Sequence, residues 1–165
     1  FFIADHAPFP KVSEKLTAAF GFEFNNGSVD VATFHIDDSS LAQHVITKGN
    51  PNLERIVQIK SFGGSAFQIP HNAKPLLTLG KGATSFMSDI PLQVTAGAYR
   101  ISMDGWYQGA VLEVGKGRVA VFSEAMMFTS QLYIPTGKKM GLVSDGAEQN
   151  EQFLLNVMHW LSGLI

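Results

Sequence analysis

The spacing of apolar and polar positions changes several times along this chain, and each change marks an element. Residues 1–4 are an unbroken apolar run that stops at Asp5-His6-Ala7-Pro8-Phe9-Pro10, as a buried parallel strand stops at a loop. Residues 13–20 follow with helix formers, Val12, Leu16, Ala19 and Phe20 at helical spacing and Gly21 placed as a C-terminal cap, which predicts strand, loop, helix. Asn25-Asn26-Gly27 is a turn signal, and residues 31–36 read as a strand closed by Asp37-Asp38-Ser39-Ser40. A further turn is predicted at Lys48-Gly49-Asn50-Pro51, then strands at 56–59, 66–69 and 75–79 separated by Gly63-Gly64-Ser65 and His71-Asn72-Ala73. Residues 109–114 and 118–123 predict two strands joined by the tight turn Gly115-Lys116-Gly117. Residues 149–165 place Phe153, Leu154, Val157, Trp160, Leu161 and Leu164 on one stripe, the pattern of a helix lying against a sheet. The stretch 130–146 is the least patterned, and an irregular connection of that length is expected to be functional, here a lid.

Composition narrows the function classes. A chain of 165 residues with 45% apolar and 16% charged positions fits one globular domain rather than a disordered segment. A net charge of −2 with scattered Lys and Arg gives no footprint for a phosphate backbone, so no nucleic acid is expected as a partner. The apolar runs fall well short of the roughly 18 residues that a span needs, so no membrane is expected either. The absence of cysteine excludes disulfides, zinc–thiolate centres and a cysteine nucleophile. Neither Lys81-Gly82 nor Gly115-Lys116-Gly117 belongs to a phosphate loop, and no cofactor or metal is expected.

Four segments together resemble a known group: Phe2-Ile3-Ala4-Asp5-His6-Ala7-Pro8-Phe9-Pro10, His44-Val45-Ile46-Thr47-Lys48-Gly49, the run from Gly115 to Ala125, and the run from Gln152 to Leu161. The combination is similar to a bacterial family with a class I glutamine amidotransferase-like fold. The resemblance implies an α/β architecture, a flavodoxin-like three-layer sandwich with an additional β-rich middle segment. It implies that residues 1–165 form a single α/β domain, the C-terminal portion of a larger amidotransferase-like one, with the Asp5 strand central and preceded by further βα units. A sheet without those units exposes an edge, so a preceding chain segment or a homo-oligomer partner is expected to cover it.

The candidate chemistry gathers at strand ends. In amidotransferase-like folds the reactive residue sits on the sharp turn after such a strand, near helix N–H groups that can stabilise an oxyanion. Here that turn carries Asp5 and His6, a possible nucleophile or base beside a base that works near neutral pH. The structural alternative is that Asp5 caps the turn and His6 bonds to a loop. Glu124 directly follows strand 118–123, and ligands in open α/β sheets bind at the carboxyl ends of strands. Glu124 is therefore expected near Asp5 if the two strands are parallel neighbours, the alternative being that it caps residues 126–129. Ser65 in Gly63-Gly64-Ser65-Ala66-Phe67 misses the nucleophile-elbow spacing, because Phe67 stands where a glycine belongs. His44 either reaches the pocket or anchors its own loop. Two readings stay open: a hydrolase-type enzyme acting on an ester, amide or glycosidic bond of a small-molecule substrate, and a non-catalytic ligand-binding or assembly module that keeps the fold without the cysteine.

Overall fold

In the computed structural model, which describes residues 1–49 and 52–165, the chain opens with β1 (Phe2–Ile3). It turns through Asp5 and His6 into α1 (Phe9–Ala19), with Pro10 in the first turn, where a missing N–H costs nothing. Short strands β2 (Glu23–Phe24), β3 (Ser28–Val29) and β4 (Ala32–His35) flank the Asn25-Asn26-Gly27 turn. Next come α2 (Val45–Lys48) and a single 3-10 turn, Asn52–Glu54. The turn expected at Lys48-Gly49-Asn50-Pro51 falls partly outside the described residues. Strands β5 (Gln58–Ser61), β6 (Phe67–Gln68) and β7 (Lys74–Thr78) lie within a residue or two of their predicted places. The hairpin β8 (Thr84–Met87) and β9 (Tyr99–Ser102) precedes β10 (Tyr107–Val114) and β11 (Gly117–Phe122). A second 3-10 turn, Met126–Phe128, leads to β12 (Ser130–Tyr133), β13 (Lys138–Gly141) and α3 (Asn150–Ser162).

The expected flavodoxin-like, class I glutamine amidotransferase-like sandwich is not what forms. Strands hold 32% of the chain and helices 20%, in curled mixed sheets that make a β-rich fold. The reason lies in the connections. A parallel pair needs a crossover of a dozen or more residues, usually a helix, and between α1 and α3 the longest described helix is the four-residue α2. Short turns link most consecutive strands there instead, and among the described strands β1 and β11 pair in parallel while the other pairings are antiparallel.

The β10–β11 hairpin is the spine of the main sheet, whose order is β1-β11-β10-β6-β2 with β7 also on β10. Val114 pairs with Gly117 across Gly115-Lys116, as the sequence predicts. Side chains alternate along a strand, so Phe122, Ala120 and Val111 enter a core shared with Phe34, Ile46, Leu77, Met127, Phe153 and Trp160. Val121, Ala110 and Leu112 face a smaller core with Phe22 and Phe67 beneath α1. Burial on both faces explains the near-continuous apolar run of these strands.

Two further expectations fail. β1 is the end strand of its sheet, with β11 as its partner, not a strand flanked on both sides. On α1, Val12 and Leu16 are 82% and 53% exposed, while Pro10 and Thr17 are the residues the helix buries. The predicted lid at 130–146 is largely the β12–β13 hairpin.

Polar side chains of α3 and its N-cap Gln149 complete the backbone bonding of its neighbours. Gln149 Oε1 accepts the Val57 and Gln58 amides at 2.8 and 3.0 Å. Asn150 accepts the Lys60 amide at 3.1 Å and donates to the Lys60 and Met127 carbonyls at 2.7 and 3.1 Å. Asn156 donates to the carbonyls of Ile46 and Glu54, both at 2.8 Å.

Candidate functional site

Phe2 pairs with Val121 and Ile3 with Phe122, and the Ala4 amide donates to the Phe122 carbonyl at 3.0 Å. Two strands in parallel register end together, so Asp5 and Glu124 leave the sheet at the same end, as their sequence positions suggest. Asp5 Oδ1 accepts the His6 amide at 2.7 Å. His6 Nδ1 lies 2.7 Å from the Ala7 carbonyl, a contact that requires the ring proton on Nδ1. Its ring meets Phe9 edge-on at 5.8 Å. The turn is pinned from outside where the Ala7 amide donates to the Gly27 carbonyl at 3.0 Å.

Glu124 is 1% exposed. Its Oε1 accepts the Met126 amide and its Oε2 the Met127 amide, each at 2.7 Å, so the side chain caps the Met126–Phe128 turn. Burial pushes its carboxyl up to about 7 and the Asp5 charge pushes the same way, while the backbone amides of Met127, Met126 and Phe62 pull it down. Gly64 lies directly against this side chain. Its φ is +81°, and a Cβ there would sit 2.2 Å from the Ser123 carbonyl oxygen and 2.7 Å from Glu124 Cβ and Cγ.

Ser65 adjoins the same strand end. Its amide donates to the Ser123 carbonyl at 2.7 Å, and its carbonyl accepts from Ser123 Oγ at 2.8 Å and Gln108 Nε2 at 2.9 Å. Ser65 Oγ is buried and makes no hydrogen bond. Gln108, fully buried, also donates to the Gly63 carbonyl at 2.7 Å and accepts from Ser61 Oγ at 2.7 Å. The sequence reading missed Gln108; its signal was a lone amide entering the apolar run of 109–112.

His44 stands apart. It faces Lys74, Glu113 and Trp160, and Glu113 pairs with Arg118 at the start of β11, six residues or roughly 20 Å of strand from Glu124. Its Nδ1 accepts the Ile46 amide at 3.3 Å and its own amide donates to Thr47 Oγ1 at 2.9 Å, a capping box for α2. Burial lowers its pKa, Lys74 and Lys48 lower it further, and Glu113 opposes them. A base whose folded pKa is depressed binds fewer protons folded than unfolded, so its stabilisation is present above pH 6.5 and is lost as pH falls below that value. His44→Asn keeps a good N-cap without the titration. In urea titrations the wild type should lose stability relative to this variant from pH 7 to 5; parallel profiles would show that the cap does not titrate.

Clefts of about 450, 360 and 460 Å³ open elsewhere: beside Thr47, Lys48 and Arg55, between β4 and residues 78–84, and between α1 and β2. Asp5, His6, Ser65 and Glu124 line none of the three. Among the described residues no group of three His, Asp or Glu is placed to hold a metal ion, and no helix is long and apolar enough to cross a membrane. Comparison with protein-family models, with curated proteins and with solved structures finds no match to this chain.

Proposed function

We propose that this chain is a non-catalytic ligand-binding or assembly module. The observation that carries the reading is the state of Glu124: both carboxylate oxygens are taken by the Met126 and Met127 amides and the residue is 1% exposed. A general acid or base must reach the proton it moves, and this side chain reaches its own backbone. Asp5 and His6 are likewise bonded within their turn. The end edge of β1, with the outward Leu16 of α1 beside Phe1 and Phe2, is the surface that an assembly partner would cover, whether a preceding chain segment or a second copy. A small-molecule ligand would enter one of the three clefts.

A second reading, a hydrolase acting on an ester, amide or glycosidic bond, is favoured by one observation: a buried carboxyl whose pKa stands near 7 beside another carboxylate, the arrangement that acid–base enzymes use. A screen of ester, amide and glycoside substrates against wild type, Asp5→Asn and Glu124→Gln separates the readings. The module predicts no turnover, or a trace that both variants retain. Turnover abolished in both folded variants would establish the enzyme.

The same Glu124→Gln variant has a pH signature. A carboxyl raised from 4.5 to about 7 favours the fold fully below pH 4.5 and loses that advantage, about 3 kcal/mol, as pH rises through 7. Glutamine does not titrate. The stability of Glu124→Gln relative to wild type should therefore rise by up to that amount between acid and neutral pH in chemical denaturation. A constant difference would show that folding leaves the Glu124 carboxyl at its ordinary pKa.

A further inference from the structure

Among the described residues the β12–β13 hairpin pairs with no other strand, and residues 130–139 are all exposed. Its base is firmly seated: Gly141, at φ +72°, packs so closely that a Cβ would meet the carbonyl oxygens of Thr129 and Met126 at 1.8 and 2.6 Å, and the Leu142 amide donates to Thr129 at 2.8 Å. Its tip is apolar, with Leu132, Tyr133 and Ile134 exposed by 60, 51 and 85%. Between Glu124 and Asp145 the chain has no carboxylate side chain, while Lys138 and Lys139 lie in the hairpin. A chain of net charge −2 thus carries a local positive arm.

Register shows what would cover this tip. Leu132 pairs with Lys139 and Tyr133 with Lys138, and consecutive residues of a strand face opposite sides. Each face of the ribbon therefore presents one apolar side chain beside one lysine, with Ile134 beyond both. A protein surface would cover one face and leave the other wet. A medium that is apolar on every side of the tip and anionic just behind it covers both, because lysine stems lie along apolar surface while their ammonium groups reach back to charge, and tyrosine suits such a boundary.

We propose that the β12–β13 hairpin is a membrane-surface anchor: Leu132, Tyr133 and Ile134 enter the boundary between headgroups and acyl chains of an anionic bilayer, and Lys138 and Lys139 pair with its phosphates. Such docking requires no spanning helix, and it holds whether or not the β1 and β11 strand ends carry chemistry. With two cations and three apolar side chains the attachment is weak and reversible.

Co-sedimentation of the whole chain with phosphatidylcholine vesicles, with and without about one third phosphatidylglycerol, tests this. Binding is expected to the anionic vesicles and to weaken with salt. Lys138→Glu with Lys139→Glu should weaken it by more than about tenfold, and Ile134→Ser by roughly tenfold. Every altered side chain is exposed, and unchanged circular dichroism confirms the fold. No binding to anionic vesicles, or binding equal in wild type and both variants, overturns the proposal. So does self-association in sedimentation equilibrium that Ile134→Ser abolishes, which would give the tip to a second copy.

Discussion

Asn150→Ala is expected to lower the free energy of unfolding by about 3–5 kcal/mol, because it strands three backbone groups at a buried site and each lost partner costs roughly 1–3 kcal/mol. Asn150 is fully buried and answers both the N–H and the C=O of Lys60 together with the Met127 carbonyl. It therefore stands in for a neighbouring strand beside β5 and ties that strand to the turn that Glu124 caps. The shift in urea midpoint, with an unchanged denaturant slope, measures the effect. A loss below about 1 kcal/mol would mean that water replaces the side chain, and the tie between β5 and the capped turn would be dispensable.

Gly64→Ala should be comparably severe, for a different reason. The left-handed backbone at φ +81° costs an alanine about 1–2 kcal/mol. The larger part is steric: the Ser123 carbonyl oxygen 2.2 Å from the new Cβ is main chain of the strand end and cannot rotate aside. Gly82→Ala is the control, since Gly82 has φ +88° but nothing within 4 Å of a built Cβ. Thermal unfolding should show Gly82→Ala losing only the conformational part and Gly64→Ala losing several kcal/mol in all. Equal losses would show that the close approach onto Glu124 relaxes freely.

Where a local pattern and its tertiary use agree, the fold is legible in the sequence. The β10–β11 hairpin is readable because a glycine turn separates two β runs, and α3 because Phe153, Val157 and Trp160 recur at helical spacing and are buried. The meeting of Asp5 and Glu124 is readable too, since both directly follow apolar strands that pair in parallel.

Other features have no local signature. The periodicity of Val12 and Leu16 says that α1 has an apolar stripe but not which way it faces, and in this structure it faces outward. A strand's own residues do not tell whether it is central or terminal, so β1 read as central because its composition suits either place. The parallel α/β architecture rested on likeness of motifs, whereas the short connections between residues 20 and 149 argued for antiparallel pairing throughout. The β12–β13 ribbon escaped notice because it buries little, and strand periodicity appears when one face is dry and the other wet. Gln108, Asn150 and Asn156 are buried polar groups whose backbone partners lie 23 to 110 residues away, beyond any window of local pattern.

Those distant amides bear on how the chain folds during synthesis. The bonds that finish β5 and α2 come from residues made about 90 to 110 positions later, so a ribosome at work holds these segments with their main-chain groups bare until α3 emerges. At roughly 5–20 residues per second that interval lasts on the order of 5 to 20 seconds. Throughout it those main-chain groups are left to water, and slower synthesis of the stretch ahead of α3 prolongs their exposure.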